Sequence, residues 1–341
     1  MKSRRKRYME NRNKAPSPRI PLLFLCFIPF LCLLACSSTE KGRGEGLHED
    51  RLLTNRDQLY GVAAVDPDHV WIVGEFGIIL HSNSAGSTWV LQDSGTPKPL
   101  MDVDFANPNQ GWAVGASGIV LHTSDQGKHW RLQPSGTERR LLSVDFLSPE
   151  AGVAVGAFGT ILRTGNGGAT WQDRSLGDDL VLNKVSFVSR TKGWIVGEFG
   201  TILKTTDGGI TWSRQASGIE KASLFGVSFV DARRGWCVGQ DGIVLTTQDG
   251  GETWSPWKDE FRKSLFDVAV MDRNGYIVGA DGLVLEKGED WQISDRIISF
   301  SWLRGISLIG NTGWMVGDMG TILHTSDGGT SWEFIEVKQG Q

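Results

Sequence analysis

A Gly-x-x-Gly hairpin signal recurs seven times along this chain, and a unit repeated that often buries its apolar faces only by stacking copy against copy. The pairs are Gly74/Gly77, Gly115/Gly118, Gly156/Gly159, Gly197/Gly200, Gly239/Gly242, Gly279/Gly282 and Gly317/Gly320, spaced by 41, 41, 41, 42, 40 and 38 residues. A tryptophan closes each copy, at Trp89, Trp130, Trp171, Trp212, Trp254, Trp291 and Trp332. This reuse accounts for 44 Gly and 14 Trp beside only 3 Tyr.

Each copy divides into four strand-length pieces. The first alternates apolar and polar residues, as in LLSVDF from Leu141 and LFGVSF from Leu224. The second is a Gly-Trp-x-Val-Gly stretch, the third an Ile-Leu-Thr stretch such as Thr201-Ile202-Leu203, and the fourth opens at the closing Trp. The tight turn between the second and third pieces calls for positive φ, which glycine adopts without a Cβ penalty. Four short antiparallel strands in seven copies predict an all-β fold, a seven-bladed β-propeller with four antiparallel strands per blade. The blades are expected near 59–95, 100–136, 141–177, 182–218, 224–260, 265–295 and 303–337, so the propeller fills 59–337. No split blade is visible to latch the ring, and residues 47–58 are a candidate for an added strand.

A second motif joins the third and fourth pieces: Thr205-x-Asp207-x-Gly209-x-Thr211-Trp212. It recurs around Asp125, Asp249 and Asp327, with Asn166 and Ser84 in two other copies and no box in the sixth. This resembles the Asp-box, and the substitutions assign Asp125, Asp207, Asp249 and Asp327 to turn capping rather than ligand binding. The whole repeat, GWxVGxxGxILxTxDGGxTW over residues 59–332, resembles the photosystem II assembly factors called Ycf48 or Hcf136. The resemblance implies a non-catalytic propeller on the lumenal or periplasmic side of a membrane that helps to assemble a membrane complex.

The N-terminus has the parts of an export signal. Eight basic residues and one acid precede Cys36, and an apolar run from Ile20 to Ala35 is broken by Pro21 and Pro29. It ends in Leu33-Leu34-Ala35-Cys36, which resembles a bacterial lipobox, so residues 1–35 are expected to be a lipoprotein signal peptide and Cys36 the lipidated residue. An ordinary secretory signal ending in Cys is the alternative. Residues 36–58 are polar and charged, as suits a flexible tether. The protein is expected at the periplasmic face of a membrane, held by its lipid. A chain starting at Cys36 has 27 basic and 38 acidic residues, a balance that argues against nucleic acid. Cys237 is then the only other cysteine, so no disulfide forms.

In a propeller, the turns between the second and third strands share a face with the loops linking blades. On that face the sequence places Glu75, Phe76, Phe158, Glu198, Phe199, Asp241, Asp281 and Asp318 in turns, and Arg139, Arg140, Arg262 and Arg304 in the loops. Exposed aromatics within mixed charge suit a protein interface, so these twelve are the candidate partner-binding residues. The expected partners are proteins of a membrane or envelope complex, bound by a monomer.

Enzyme chemistry finds little support. A sialidase needs a Tyr nucleophile, yet only Tyr60 and Tyr276 follow the signal, and Tyr276 replaces a structural Trp. No nucleotide loop is present, because the glycine pairs open hairpins rather than helices. His81, His122 and His324 hold one equivalent position on three blades and are expected to be exposed strand residues too far apart to share a metal. No catalytic residue, cofactor or metal is assigned. A membrane-tethered, non-enzymatic scaffold is the first expectation, and a carbohydrate-active or glycan-binding envelope propeller the alternative.

Overall fold

The computed structural model describes residues 53–257, 262–272, 274–297 and 299–337. The signal segment, Cys36 and the tether as far as residue 52 lie outside the described residues. Among the described residues, seven four-stranded antiparallel sheets follow one another, each with its strands paired in chain order. The expected seven-bladed, all-β propeller is the fold found.

The first strands are Leu59–Ala64, Leu100–Asn107, Leu141–Phe146, Leu182–Phe187, Leu224–Phe229, Leu265–Val270 and Leu303–Ile309. They pack on one another around a central channel. The second strands are buried along their length, except for Gln110 where its strand begins, which is why they read as continuous apolar stretches. One apolar layer lies between each pair of neighbouring blades; Trp71, Val73 and Ile79 of the first, for example, pack on Leu100, Val103 and Phe105 of the second.

Aromatic rings organise that layer. The second-strand Trp stacks on the Phe that sits sixth in the next blade's first strand: Trp71 on Phe105 at 3.8 Å, Trp112 on Phe146 at 3.5 Å and Trp194 on Phe229 at 3.5 Å. The closing Trp then meets the same Phe edge-on, as Trp130 does Phe105 at 6.0 Å and Trp254 does Phe229 at 5.9 Å. Where that Phe is replaced by Val270 or Ala64, the two tryptophans meet directly, Trp236 with Trp291 and Trp314 with Trp89. The Phe also explains the Gly at the start of the second strand of its own blade, at Gly111, Gly152, Gly193 and Gly235. A Cβ on Gly111 would stand 2.4 Å from the Phe105 ring.

The turn glycines divide their work, which corrects the single role expected of them. Gly77 has φ +72°, and a Cβ there would lie 1.8 Å from the Thr96 carbonyl oxygen. Gly74 instead has extended φ at −166°, and it is required because a Cβ would lie 2.2 Å from the Gln58 carbonyl. The residue before the second Gly takes the left-handed conformation in every blade: Phe76, Ser117, Phe158, Phe199, Asp241, Asp281 and Met319.

The ring closes without a split blade. Residues 53–58, part of the stretch considered for an extra strand, contain no strand; they form the loop that the seventh blade meets. The Gly320 N–H donates to the Asp57 carbonyl at 2.8 Å, and the Thr54 N–H donates to Asp57 Oδ2 at 2.6 Å. Leu53 packs against the layer holding Trp314 and Ile322.

Candidate functional site

Every first strand carries a β-bulge at its second residue. Leu59 pairs with Gly74 and Gly61 with Val73, leaving Tyr60 unpaired, and the same shift recurs in the other six blades. A bulge re-aims a side chain. Here it turns Tyr60, Met101, Leu142, Asn183, Phe225, Phe266 and Arg304 into the channel mouth, which encloses roughly 160 Å³. These residues form an apolar and aromatic collar with one cation.

Arg304 is the best-held of the predicted face residues. Its guanidinium grips Asp318 with two hydrogen bonds and lies over three rings, Tyr60, Phe266 and Trp302, at 5.7, 5.6 and 5.3 Å. Trp302 Nε1–H in turn donates to Asp281 Oδ1 at 3.1 Å, and Lys263 reaches the same carboxylate at 3.4 Å. The structure therefore brings Arg304, Asp318 and Asp281 into one cluster with Tyr60, Phe266 and Trp302. Arg139 forms a second cluster, lying 5.7 Å from the Phe158 ring and donating to the Phe158 carbonyl at 3.3 Å. Glu198 accepts from the Val181 N–H at 2.8 Å and so braces its own turn. Glu75 and Arg140 act on the Tyr60 hydroxyl in opposite senses and so border that cluster, Asp241 accepts from Gln240 Nε2 at 3.3 Å, and Arg262 is exposed. Phe76, Phe158 and Phe199 are 46, 56 and 62% exposed, too open to be core.

Below the collar the channel is charged, which sequence reasoning missed. Lys184 Nζ stands 3.4 Å from Asp102 Oδ2 and 3.8 Å from Asp267 Oδ2, joining the fourth blade to the second and sixth. Both carboxylates are almost wholly buried. They raise the Lys184 pKa against the opposing effect of burial. The three charges separate the mouth from a lower chamber of roughly 230 Å³, lined by Asp104, Asp145, Ser186, Ser228 and Ser307 among others.

The channel polar groups also bind neighbouring first strands together. These strands belong to different sheets, so N–H groups facing the next blade need side-chain acceptors. Asp102 accepts from the Val144 N–H at 3.2 Å, Asp104 from Phe146 at 2.7 Å and Asp145 from Phe187 at 2.8 Å. Asp267 accepts from Ile306 at 3.2 Å and Ser307 from Ala64 at 3.1 Å, the latter across the closure of the ring. The signal for this lay in reading the third and fifth first-strand residues down the repeats, where Asp102, Lys184, Asp267, Asp104 and Asp145 interrupt Gly, Ala and Ser.

Burial raises the Asp104 carboxyl to about 6, with Asp102 adding to the shift, and raises Asp145 well above the usual range, with Asp104 adding to it. A folded-state pKa above the unfolded one means the native state holds the extra proton between roughly pH 4 and pH 6. That contribution to stability is present at the acidic end and is lost as pH rises through the folded pKa. Asp104→Asn keeps an acceptor for Phe146 and removes the proton. Wild-type protein is expected to gain on Asp104→Asn in melting temperature as pH falls from 7 to 5, at about 2–4 °C per kcal/mol. The buried histidines, whose lowered pKa acts in the opposite sense, are common to both proteins and cancel in the difference. Identical pH profiles would mean that Asp104 does not titrate there.

On the opposite face the Asp-box carboxylates act on their own turns. Asp249 Oδ1 accepts from Thr247 Oγ1–H at 2.8 Å and the Thr253 N–H at 2.9 Å, and Oδ2 accepts from Thr253 Oγ1–H at 2.6 Å. Asp125, Asp207 and Asp327 repeat the pattern. The Thr253 hydroxyl and backbone bonds hold Asp249 down at about 2. The three equivalent histidines are not exposed, contrary to expectation. His81 is buried, His122 and His324 are half-buried, and each stacks on its second-strand Trp, at 4.3, 4.9 and 4.0 Å. Burial lowers His81 to about 4, so these rings are neutral packing groups. Cys237 is buried and its thiol is pushed up by that burial, which leaves it unreactive.

Comparison with known proteins follows this geometry. The solved structure "YCF48 bound to D1 peptide" superposes with a TM-score of 0.67 at 20% identity, covering 81% of this chain and 93% of that one. YCF48 from Cyanidioschyzon merolae gives 0.67 at 20% identity, covering 81% and 97%. Virginiamycin B lyase from Staphylococcus aureus gives 0.68 at 14% identity, covering 80% and 96%, so the shape alone is shared with an enzyme. Nothing among the curated proteins matches. The sequence profile of photosynthesis system II assembly factor YCF48 matches residues 48–136, 129–216, 175–260, 216–297 and 256–340 in overlapping passes, and on that coverage the chain belongs to the YCF48 family.

Proposed function

We propose that this chain is a non-enzymatic, membrane-tethered scaffold that captures a protein of an envelope membrane complex on its turn face. The observation that carries the reading is the row of apolar tips, Phe76, Phe158, Phe199 and Met319, held outward from left-handed turns on one face. Large side chains fixed by a strained turn keep little conformational entropy to lose on binding, which is what interface anchors need. The arginine–aromatic clusters at Arg304 and Arg139 supply the polar rim. A YCF48 relative has been solved with a D1 peptide, which makes a protein segment the fitting kind of ligand. The channel carboxylates are occupied by backbone N–H groups and Lys184, and this favours a structural role over acid–base catalysis.

The tether follows from Leu33-Leu34-Ala35-Cys36, and the described chain enters at Leu53 beside the Met319 turn, on the proposed docking face. Cys36→Ser is expected to move the protein from the membrane to the soluble fraction. Sedimentation unchanged from wild type would remove lipidation from the proposal. Phe76→Ser with Phe199→Ser should lower partner capture by roughly tenfold or more, at about 1–2 kcal/mol per anchor, with little change in melting temperature. The measurement is crosslinking in intact membranes followed by identification of the protein joined to wild type. Equal recovery of that protein by the double variant would overturn the docking face.

A further inference from the structure

A cavity of roughly 640 Å³ opens in the groove between the first and second blades, bordered on the turn face by Ser117 and by the loops around Lys98 and Glu138. Its floor is Ile119 and Leu121. One wall is Ser94, Thr96 and Lys98 of the interblade loop, and the other is Trp130, Leu132 and the loop around Thr137.

The repeat supplies an internal control. Gly77 packs on the Thr96 carbonyl as Gly159 packs on that of Asp178, so Thr96 corresponds to Asp178, Ser94 to Leu176 and Lys98 to Leu180. Leu132 pairs with Leu121 as Arg214 pairs with Leu203, which matches Leu132 to Arg214. Between the third and fourth blades this second groove retains only about 10 Å³. There buried Leu180 fills it, half-exposed Leu176 borders it, and Arg214 spans it, donating to Thr201 Oγ1 at 2.9 Å and Asp178 Oδ2 at 2.7 Å. The first groove is open because smaller or outward-reaching residues replace each filler.

We infer that the groove between the first and second blades is a binding site for a neutral oligosaccharide. A sugar chain offers alternating hydroxyls and apolar ring faces, and the lining answers both. Thr96 Oγ1 and Thr137 Oγ1 each accept a backbone N–H, from Lys98 at 3.2 Å and Arg139 at 3.1 Å, which leaves their hydroxyl protons to donate outward. Ser117 adds an exposed hydroxyl that has no hydrogen-bond partner among the described residues. The Trp130 ring is fixed by its Nε1–H to Gln92 Oε1 at 3.0 Å and by the Phe105 edge, while Leu132 stands 69% exposed beside it. Lys98 and Glu138 contribute opposite charges, so the site selects for neither anion nor cation. The volume falls within the range of small-ligand sites, roughly 300–1,000 Å³.

The test titrates the exported part of the chain, residues 37–341, with cellohexaose, maltohexaose and chitohexaose, followed by calorimetry and tryptophan fluorescence. At least one is expected to bind with a Kd on the order of a millimolar or tighter. Two variants copy the closed groove onto the open one: Ser94→Leu with Lys98→Leu, and Leu132→Arg. All three substitutions already exist at equivalent positions in this chain, so melting temperature should hold while affinity falls about tenfold or more. Binding of none of the three sugars overturns the proposal, as does unchanged affinity in both filled variants. Neither variant alters the apolar row of Phe76, Phe158, Phe199 and Met319 or the Arg139 and Arg304 clusters, so partner capture should persist in both.

Discussion

Replacing Lys184 by methionine is expected to cost about 3–5 kcal/mol at neutral pH, the range for removing one partner from a buried charge cluster. For a propeller of this size that is a fall in Tm on the order of 10 °C. Methionine retains the stem that fills the channel, so the loss isolates the ammonium. Without it, Asp102 and Asp267 are left in a narrow, largely buried channel with Asp104 and Asp145 below them and, among the described residues, no cation within ion-pair distance. Denaturant unfolding at pH 7 and pH 5 provides the check. The deficit should shrink at pH 5, because burial raises the Asp104, Asp145 and Asp267 carboxyls, and their protonation at lower pH leaves less negative charge for Lys184 to offset. Adding Asp102→Asn to the methionine variant should recover part of the loss, since an amide still accepts from Ser143 and Val144. A deficit below about 1 kcal/mol at pH 7, typical of an exposed pair, would mean that water already screens the channel and that the three charges do not hold the ring.

That cluster marks the boundary of what the sequence discloses. The blade count, the strand order and the location of the turns are legible because each copy repeats the same glycines and tryptophans, and periodicity survives without knowing how the copies meet. The first-strand column is different. Its third residues, Gly61, Asp102, Ser143, Lys184, Gly226, Asp267 and Gly305, look like surface variation along one strand. They acquire meaning only when closure of the ring places the second, fourth and sixth blades around one axis. The bulge that aims Tyr60 and Phe266 into the mouth leaves no composition signal either, since any residue type occupies it. The turn positions of Phe76, Phe158 and Phe199 are legible because the glycine pair fixes them. Trp302 and Phe266 were missed because the cluster they build with Arg304 spans two blades. The histidines misled for a related reason: alternation puts His81 on the polar face of a strand, but the neighbouring Trp71 ring covers it.

Aromatic stacking between blades makes a second large effect predictable, and makes it unequal around the ring. Trp112→Ala is expected to destabilise by about 4 kcal/mol, within the range for emptying a core tryptophan site. Trp112 is fully buried, lies flat on Phe146 at 3.5 Å, stacks on His122, and donates from Nε1 to the Gly167 carbonyl at 3.0 Å. One ring thus joins the second blade's sheet to both the inner strand and the Asp-box turn of the third. Trp236 holds the equivalent place in the fifth blade, but its neighbour is Val270 rather than Phe. Its ring contact among the described residues is the Trp291 edge at 6.4 Å, and a Lys287 ammonium covers its face from outside at 5.6 Å. Trp236→Ala should therefore cost less, roughly 2 kcal/mol, because a partly open site can admit water where the Trp112 site cannot. Denaturant unfolding of the two variants side by side decides the point. Equal losses would mean that the tryptophans stabilise their own blades and not the contact between blades, and the ring would then have to be held chiefly by its channel.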